Sequence, residues 1–271
     1  MLSALKSAKK SGASVLSINP LKETGMRRFR HPQSPIDMLG AGTQISDDHV
    51  NIKINGDMAL FRAIGSIILD KGSHDPDFIN LNTTGFLDYA KIAQKIDWDL
   101  IEHLTGQDRG RINEISDYFC RSRRTIVCWA MGITQHKNSV NTIREIMNVL
   151  LLKGDIGREG SGPCPVRGHS NVQGDRTVGI THAPDEFFIE KLSKEFEIDT
   201  PSDHGADSVN AVMKMKKSGG IFLSLGGNFL SAMSDTDYTA EALEKCSLTV
   251  QISTKLNRSH LITGDVGIIL P

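Results

Sequence analysis

Hydrophobic and polar positions along the chain follow two different periods. Apolar residues recur with helical spacing from Met58 to Leu69 and again from Ser139 to Leu152. Short apolar runs are typical of strands and lie at 13–18, 50–54, 125–130, 220–225, 248–252 and 267–270. Further helices are predicted at 2–11, 75–81, 86–93, 110–123, 184–195, 208–217 and 239–246. Strands thus alternate with helices, which predicts an α/β fold with parallel sheets.

The connections between these elements give more local predictions. Asp57 is expected to cap the helix that follows it, and residues 131–136 are expected to form a loop. The run at 125–130 is uniformly apolar, which predicts a buried strand. Residues 153–179 hold seven glycines and two prolines, which predicts a loop and a domain junction.

Composition and charge exclude several classes of protein. The 271 residues carry 31 basic and 32 acidic side chains, and a net charge of -1 argues against a nucleic-acid partner. No apolar run reaches the roughly 18 residues of a membrane span, so no membrane association is predicted. The cysteines at 120, 128, 164 and 246 show no CxxC spacing, which argues against a zinc or iron–sulfur site held by this chain alone. Without a secretory apolar segment, we expect a cytoplasmic location.

Small polar residues follow the predicted strands, where ligands of parallel sheets bind. They are Asn19, Gly56, Asp57, Gly132, Gln135, His136, Gly226, Gly227, Asn228, Ser253, Thr254 and Lys255. Each residue taken alone is explained by its role in a turn, but all of them together favour binding of a nucleotide-like ligand. Neither GxGxxG nor GxxxxGK[ST] is present.

The segment 157–174 places Arg, His, Asn and Gln side chains between glycines and prolines. Such a backbone suits a preformed polar site, in which Arg167 could hold a carboxylate, a phosphate or another oxyanion. An interdomain linker with a structural arginine accounts for the composition equally well.

The stretch from Trp129 to Gly179 resembles molybdopterin oxidoreductases of the DMSO-reductase superfamily, formate dehydrogenase alpha subunits in particular. Three blocks carry the resemblance in order and spacing: Met-Gly-Ile-Thr-Gln at 131–135, Leu-Leu-Lys-Gly-Asp-Ile-Gly at 151–157, and Pro-Val-Arg-Gly-His-Ser-Asn-Val-Gln-Gly at 165–174. The flanks agree more weakly at residues 13–20, 56–57, 226–228 and 251–254. The resemblance therefore spans nearly the whole chain.

The resemblance implies two Rossmann-like parallel-sheet domains of the formate dehydrogenase/DMSO reductase type, the second incomplete. Residues 1–155 would form the inserted domain and 156–271 the returning half of the other. Each domain of the family binds one arm of a bis-molybdopterin guanine dinucleotide carrying molybdenum. The implied arm-binding residues are Asn19, Gly56, Asp57, Gly132, Gln135, Gly227, Asn228 and Ser253.

The resemblance also implies a catalytic role for Arg167, which would sit beside molybdenum and orient a small anion such as formate, with His169 near the pterin. His169 stands where the family usually has Gln, which weakens the case for strict formate specificity. The family's molybdenum ligand, and the iron–sulfur cluster that often accompanies it, lie in a part that we expect to precede Met1. Cys164 is not expected to replace that ligand.

Two interpretations remain open. The chain is the central part of a molybdopterin oxidoreductase with two-electron redox at molybdenum, inactive when taken alone. Alternatively, it is a truncated, non-catalytic remnant that binds at most one guanine-nucleotide arm. A GTP- or sugar-nucleotide-binding protein would need a phosphate loop or metal carboxylates, which the sequence lacks. With half of a domain missing, copies of the chain are expected to associate through an exposed sheet edge.

Overall fold

Each strand pair that the structure describes is parallel. In the first sheet β1 (Leu16–Ile18) pairs with β2 (Asp48–Val50), and in the second β3 (Ile126–Trp129) pairs with β4 (Gly162–Pro165). A third sheet has the order β5–β6–β7, formed by Ile221–Leu225, Leu248–Ile252 and Val266–Leu270. Parallel neighbours need crossover connections, and α-helices supply those between β3 and β4 and between β5 and β6, whereas a 3₁₀ turn lies between β6 and β7. The α/β class with parallel sheets is confirmed.

The computed structural model describes residues 1–35, 39–169, 171–181, 183–201 and 203–271. They form two compact units, Met1–Ser170 and Asn171–Pro271. Helices of the first unit are α1 (Leu2–Lys10), α2 (Thr24–Arg27), α3 (Asp57–Asp70), α4 (Pro76–Asn82), α5 (Phe86–Ala93), α6 (Trp98–Thr105), α7 (Arg109–Arg121), α8 (Met131–Thr134) and α9 (Ser139–Leu152). Those of the second are α10 (Val172–Thr177), α11 (Glu186–Phe196), α12 (Ser208–Ser218), α13 (Phe229–Ala232), α14 (Thr236–Glu244) and a 3₁₀ turn at Arg258–Leu261. The predicted domain division at 155/156 stays a prediction.

The core of the first unit is built around α3. Leu60, Ile64 and Ile68 on this helix are fully buried, and they belong to one cluster with residues of α7 and α9. Full burial of an aliphatic side chain contributes about 1.5–3 kcal/mol. The helical spacing that predicted α3 and α9 is therefore the spacing of the core itself.

Aspartates begin many of the helices. In each case the carboxylate accepts a hydrogen bond from the backbone N–H three residues on, which satisfies a donor that the first turn leaves unpaired. These residues are Asp75, Asp97, Asp108, Asp185, Asp207 and Asp235.

Two predictions around the second strand were wrong. The strand is Asp48–Val50 rather than 50–54, because Lys53 donates its backbone N–H to Thr105 instead of to a strand. Asp57 does not cap α3 from outside. It is the first helical residue, and the N-cap position belongs to Gly56.

The region around β3 and β4 differs further from the expectations. β3 alternates exposed and half-buried residues, so it is not a buried strand. Residues 131–134 form α8 instead of a loop, and the predicted loop at 153–179 contains β4 and α10. Gly162 donates its N–H to the carbonyl of Thr125, just before β3, and Val166 donates to that of Trp129 in β3. Pro163 and Pro165 therefore occupy the alternate positions that face away from β3.

The sheet of the second unit has one wholly apolar face. Its register places Ile221, Leu223 and Leu225 of β5 beside alternate residues of β6 and β7. The β5 members are 66–80% exposed. The face comprises Ile221, Leu223, Leu225, Leu248, Val250, Ile252, Val266, Ile268 and Leu270.

Candidate functional site

The first candidate residues follow β1. The Asn19 N–H donates to the Val50 carbonyl at 3.0 Å, which extends the β1–β2 ladder. Its side-chain oxygen accepts from the Leu21 N–H at 3.0 Å and closes a local turn. The amide NH₂ of Asn19 is left as the group that a ligand could use.

Gly56 and Asp57 stand at the start of α3. A Cβ on Gly56 would lie 2.7 Å from the Leu104 carbonyl oxygen and 2.9 Å from that of Lys53. Close backbone packing therefore explains this glycine without a ligand. Asp57 is only 7% exposed, and burial raises the pKa of its carboxyl. A buried carboxyl of this kind can take part in hydrogen bonds in either protonation state.

His136 belongs to the same region as Asp57. A positive charge on His136 would lower the pKa of the Asp57 carboxyl, against the larger effect of burial. The Nδ1 atom of His136 is buried without a hydrogen-bond partner among the described residues. This unpaired nitrogen was not predicted from the sequence, although His136 was noted after its strand.

Met131 joins the segment after β3 to the segment after β4. The Gln135 amide nitrogen lies 3.9 Å from the Met131 sulfur, and a Cβ on Gly168 would lie 3.7 Å from the Met131 methyl. A Cβ on Gly132 would meet no atom within 4 Å, so the backbone beside it is open. Two of the sequence blocks are thus brought together at the ends of paired strands.

Arg167 is presented by the end of β4. The Val166 N–H donates to the Trp129 carbonyl at 2.7 Å, which carries the ladder one residue past the strand. Arg167 and His169 are exposed. Within the described part of the chain, the Arg167 guanidinium has no hydrogen-bond or ion-pair partner. Ser170 of the same motif lies outside the described residues.

The second unit brings its own candidates together. Asn228 follows β5, and its side-chain oxygen accepts from the Ser259 hydroxyl at 3.1 Å. The carbonyl of Gly227 accepts from the Asn257 amide at 3.0 Å. These bonds tie the loop after β5 to the loop after β6, where the Ser253 hydroxyl donates to the Lys255 carbonyl at 2.9 Å.

Two further polar atoms of this unit escaped the sequence prediction. Gln251 Oε1 and His260 Nε2 are buried without partners among the described residues. Gln251 directs its amide nitrogen to the Ser259 carbonyl at 2.7 Å. The sequence did offer a signal for Gln251, since it is a polar residue among the apolar ones of the strand Leu248–Ile252.

The described residues contain no group of three or more His, Cys, Asp or Glu side chains placed to hold a metal ion. No helix in this part of the chain is long and apolar enough to cross a membrane. The potential ligand groups are instead hydrogen-bonding side chains and open backbone at strand ends, which suit an organic cofactor with phosphates and a base.

Comparison with known proteins decides the family. The family described as Molybdopterin oxidoreductase matches residues 3–271. The chain belongs to this family. The resemblance to molybdopterin oxidoreductases in the sequence is thereby confirmed, and membership implies a molybdenum–pterin cofactor.

Relatives of this molybdopterin oxidoreductase chain fall into near and distant groups. An uncharacterized oxidoreductase of Mycobacterium tuberculosis is 44% identical over 278 residues, covering 100% of this chain and 36% of that protein. Protein YdeP of Escherichia coli is 37% identical over 283 residues, covering 100% and 37%. Formate dehydrogenase H of Escherichia coli is 27% identical over 205 residues, covering 73% and 26%. The chain spans about a third of the length of its near relatives.

Among solved structures, acetylene hydratase from Pelobacter acetylenicus is similar with a TM-score of 0.51 and 17% identity. The match covers 92% of this chain and 35% of that one. It supports the fold of a molybdopterin enzyme. The predicted site residues remain predictions. Asn19, Gly56, Asp57, Gly132, Gln135, Arg167 and His169 lie in the first unit, and Gly227, Asn228 and Ser253 in the second.

Proposed function

We propose that this chain is the cofactor-binding part of an oxidoreductase that carries out two-electron redox on a small anionic substrate, with formate the first candidate. The cofactor would be molybdenum held by bis-molybdopterin guanine dinucleotide. The position of Arg167 supports the proposal most directly. β4 ends in a backbone hydrogen bond at Val166 and presents the next residue, Arg167, to solvent as a guanidinium with no partner among the described residues.

The chemistry of the donor set fits such a cofactor. In the first unit, the amide of Gln135 and the open backbone at Gly132 would contact the pterin. The Asp57 carboxyl offers two oxygens to adjacent N–H groups such as those of a guanine edge. In the second unit, Asn228 and Ser253 offer an amide and a hydroxyl at strand ends, where phosphates and ribose bind in parallel sheets.

Molybdenum, when bound, supplies the two-electron change. The residues of this chain bind and orient. A guanidinium has the planar fork that matches a carboxylate with two parallel hydrogen bonds, and its fixed charge favours an anion. His169, two residues further on, carries an exposed imidazole with two ring nitrogens that can take part in hydrogen bonds. Formate dehydrogenase H is a distant relative, and the choice of formate comes from the resemblance of the motif around Arg167 together with the affinity of a guanidinium for a carboxylate.

The cofactor content of the purified chain tests the proposal. Molybdenum and tungsten would be measured by mass spectrometry, and guanine after acid hydrolysis. Metal at near-stoichiometric level with two guanines per metal is the expected result. Guanine without metal would restrict the chain to binding a nucleotide arm, as the remnant interpretation holds, and would refute redox chemistry for the chain alone. Absence of both would refute the proposal.

The role of Arg167 is tested next in the longer, cofactor-loaded oxidoreductase of which we propose this chain to be a part, because the chain alone is expected to be inactive. We expect Arg167→Ala to lower kcat/KM for formate by roughly 10- to 100-fold, since a hydrogen bond to a charged group is worth about 1.5–3 kcal/mol. Arg123→Ala, which removes another exposed arginine just before β3, is the matched control. Equal kcat/KM in the Arg167 and Arg123 variants would argue against a contact between Arg167 and the substrate.

A further inference from the structure

Two cysteines face each other across the β3–β4 pair. The parallel register places Cys128 directly opposite Cys164, so both side chains stand on the same face of the sheet. Both are exposed and neither is in a disulfide. Cys120 lies in α7 and Cys246 is buried in the second unit, so they offer no competing partner in register. Spacing along the sequence gave no sign of this pair.

The two thiols also act on each other. Partial burial of the Cys128 thiol raises its pKa, and the neighbouring Cys164 adds a smaller effect in the same direction, so that the pKa reaches about 11. A negative charge on the Cys164 sulfur thus opposes ionisation of the Cys128 thiol, and such an effect requires the two side chains to be close. A disulfide removes this repulsion because neither sulfur is then ionised.

Backbone geometry allows the two sulfurs to bond. Neighbouring strands lie about 4.8 Å apart, and disulfides span Cα separations of about 4.4–6.8 Å. A bond across this pair therefore needs no rearrangement of the strands. Both cysteines are exposed, and exposed disulfides are more easily reduced than permanent structural ones.

We propose that Cys128 and Cys164 form a reversible redox site, in which a small-molecule disulfide such as oxidised glutathione converts the dithiol into a cross-strand disulfide. The thiolate of one cysteine attacks the small disulfide and releases one thiol, forming a mixed disulfide. The second cysteine then displaces the remaining small thiol. Two electrons pass from the protein to the small disulfide, and the two protons end on its two released thiols.

The bond would act on the segment that follows β4. Only Pro165 and Val166 separate Cys164 from Arg167. Val166 is tied to Trp129, the residue after Cys128, by one backbone hydrogen bond. A covalent link between Cys128 and Cys164 would fasten the strands next to that single bond. Oxidation is therefore expected to slow amide exchange at residues 166–169, whether or not Arg167 meets a substrate.

Peptide mass spectrometry tests the proposal directly. Trypsin places Cys128 in the peptide 125–137 and Cys164 in 159–167, each with a single cysteine. The full chain would be reduced, equilibrated with glutathione buffers of increasing oxidised fraction, quenched in acid and alkylated. In oxidising buffer we expect the two peptides linked and two hydrogen atoms lighter, with alkylation of both cysteines reduced at least tenfold. Reduced glutathione should reverse the change.

Variants and a denatured control separate the site from general thiol reactivity. Cys128→Ser and Cys164→Ser should abolish the link and leave the remaining cysteine bound to glutathione, whereas Cys120→Ser should keep it. In urea the linked product should fall at least tenfold, because the strands no longer hold the thiols together. Separate glutathione adducts on both cysteines, a link only between two chains, or equal yield in urea would each overturn the proposal.

Discussion

Asp155 carries a carboxyl group that is shut off from solvent between α9 and β4. The residue has 0% of its surface exposed, and neither carboxyl oxygen has a hydrogen-bond partner among the described residues. Burial raises the pKa of this carboxyl. The nearby Thr125 and the cations Lys153 and Arg158 offset that effect only in part. Ionisation of Asp155 therefore lowers the free energy of unfolding.

The variant Asp155→Asn keeps the shape of the side chain and removes its charge. The ordinary pKa of an aspartate side chain is 3.8. Well below that pH, Asp155 is protonated in both the folded and the unfolded chain, so the variant and the parent should have similar free energies of unfolding. As the pH rises through the higher pKa of the folded state, the parent loses stability because its unfolded chain releases the proton more readily. The variant has no such loss.

The size of the gain follows from the raised pKa of Asp155. Each unit by which a folded-state pKa exceeds that of the unfolded chain costs about 1.4 kcal/mol of stability at a pH above both values. We therefore expect Asp155→Asn to raise the free energy of unfolding at pH 7 by about 1.4 kcal/mol for each unit by which burial raises the pKa of Asp155.

Urea unfolding followed by tryptophan fluorescence measures this gain. The chain has two tryptophans, Trp98 and Trp129, and both lie in the first unit, so the signal reports the unit that contains Asp155. Glu159→Gln is the matched control, since it removes an exposed carboxylate from the same connection. A variant less stable than the parent at pH 7, or a gain of the same size at pH 3, would refute the reasoning.

Three further outcomes are expected. The Arg111 hydrogen bond lowers the pKa of Asp48, so Arg111→Gln should cost about 0.2–1 kcal/mol at pH 7 and progressively less as the pH falls below 3.8, in urea titrations. Gly56→Ala should cost about 1–3 kcal/mol because its Cβ would strike backbone oxygens, whereas Gly132→Ala should change the same measurement little. Sedimentation should show concentration-dependent self-association that Leu223→Lys weakens, since Leu223 lies in the exposed apolar face of the second unit; a monomer at all concentrations would contradict this.

The elements that could be predicted from the sequence are those whose packing repeats with a fixed period. The helix Ser139–Leu152 matches its prediction because the positions that face α3 recur every three or four residues. Even there, the apolar Val140 in the first turn of the helix is 62% exposed. The helix Trp98–Thr105 was not predicted, although Asp97 before it and Gly106 after it are the usual boundary residues.

β4 could not be found in this way. Gly-Pro-Cys-Pro has neither apolar alternation nor strand propensity, and its pairing with β3 alone makes it a strand. The same non-local pairing creates the Cys128–Cys164 contact, which no spacing rule could reveal. His169 was found through the family motif, and Arg167 through both that motif and the glycine- and proline-rich segment around it. Their place after the end of a strand depended on the β3–β4 pairing too.

Pro163 and Pro165 give β4 one further property. Their positions on the strand point away from β3, and proline has no N–H to offer there. The outer side of β4 therefore displays carbonyl oxygens without the donors that an added strand would need. A growing intermolecular sheet, such as one that seeds a fibril, cannot be templated on this side. The strand accepts a single neighbour, and mispairing during refolding has to begin elsewhere in the chain.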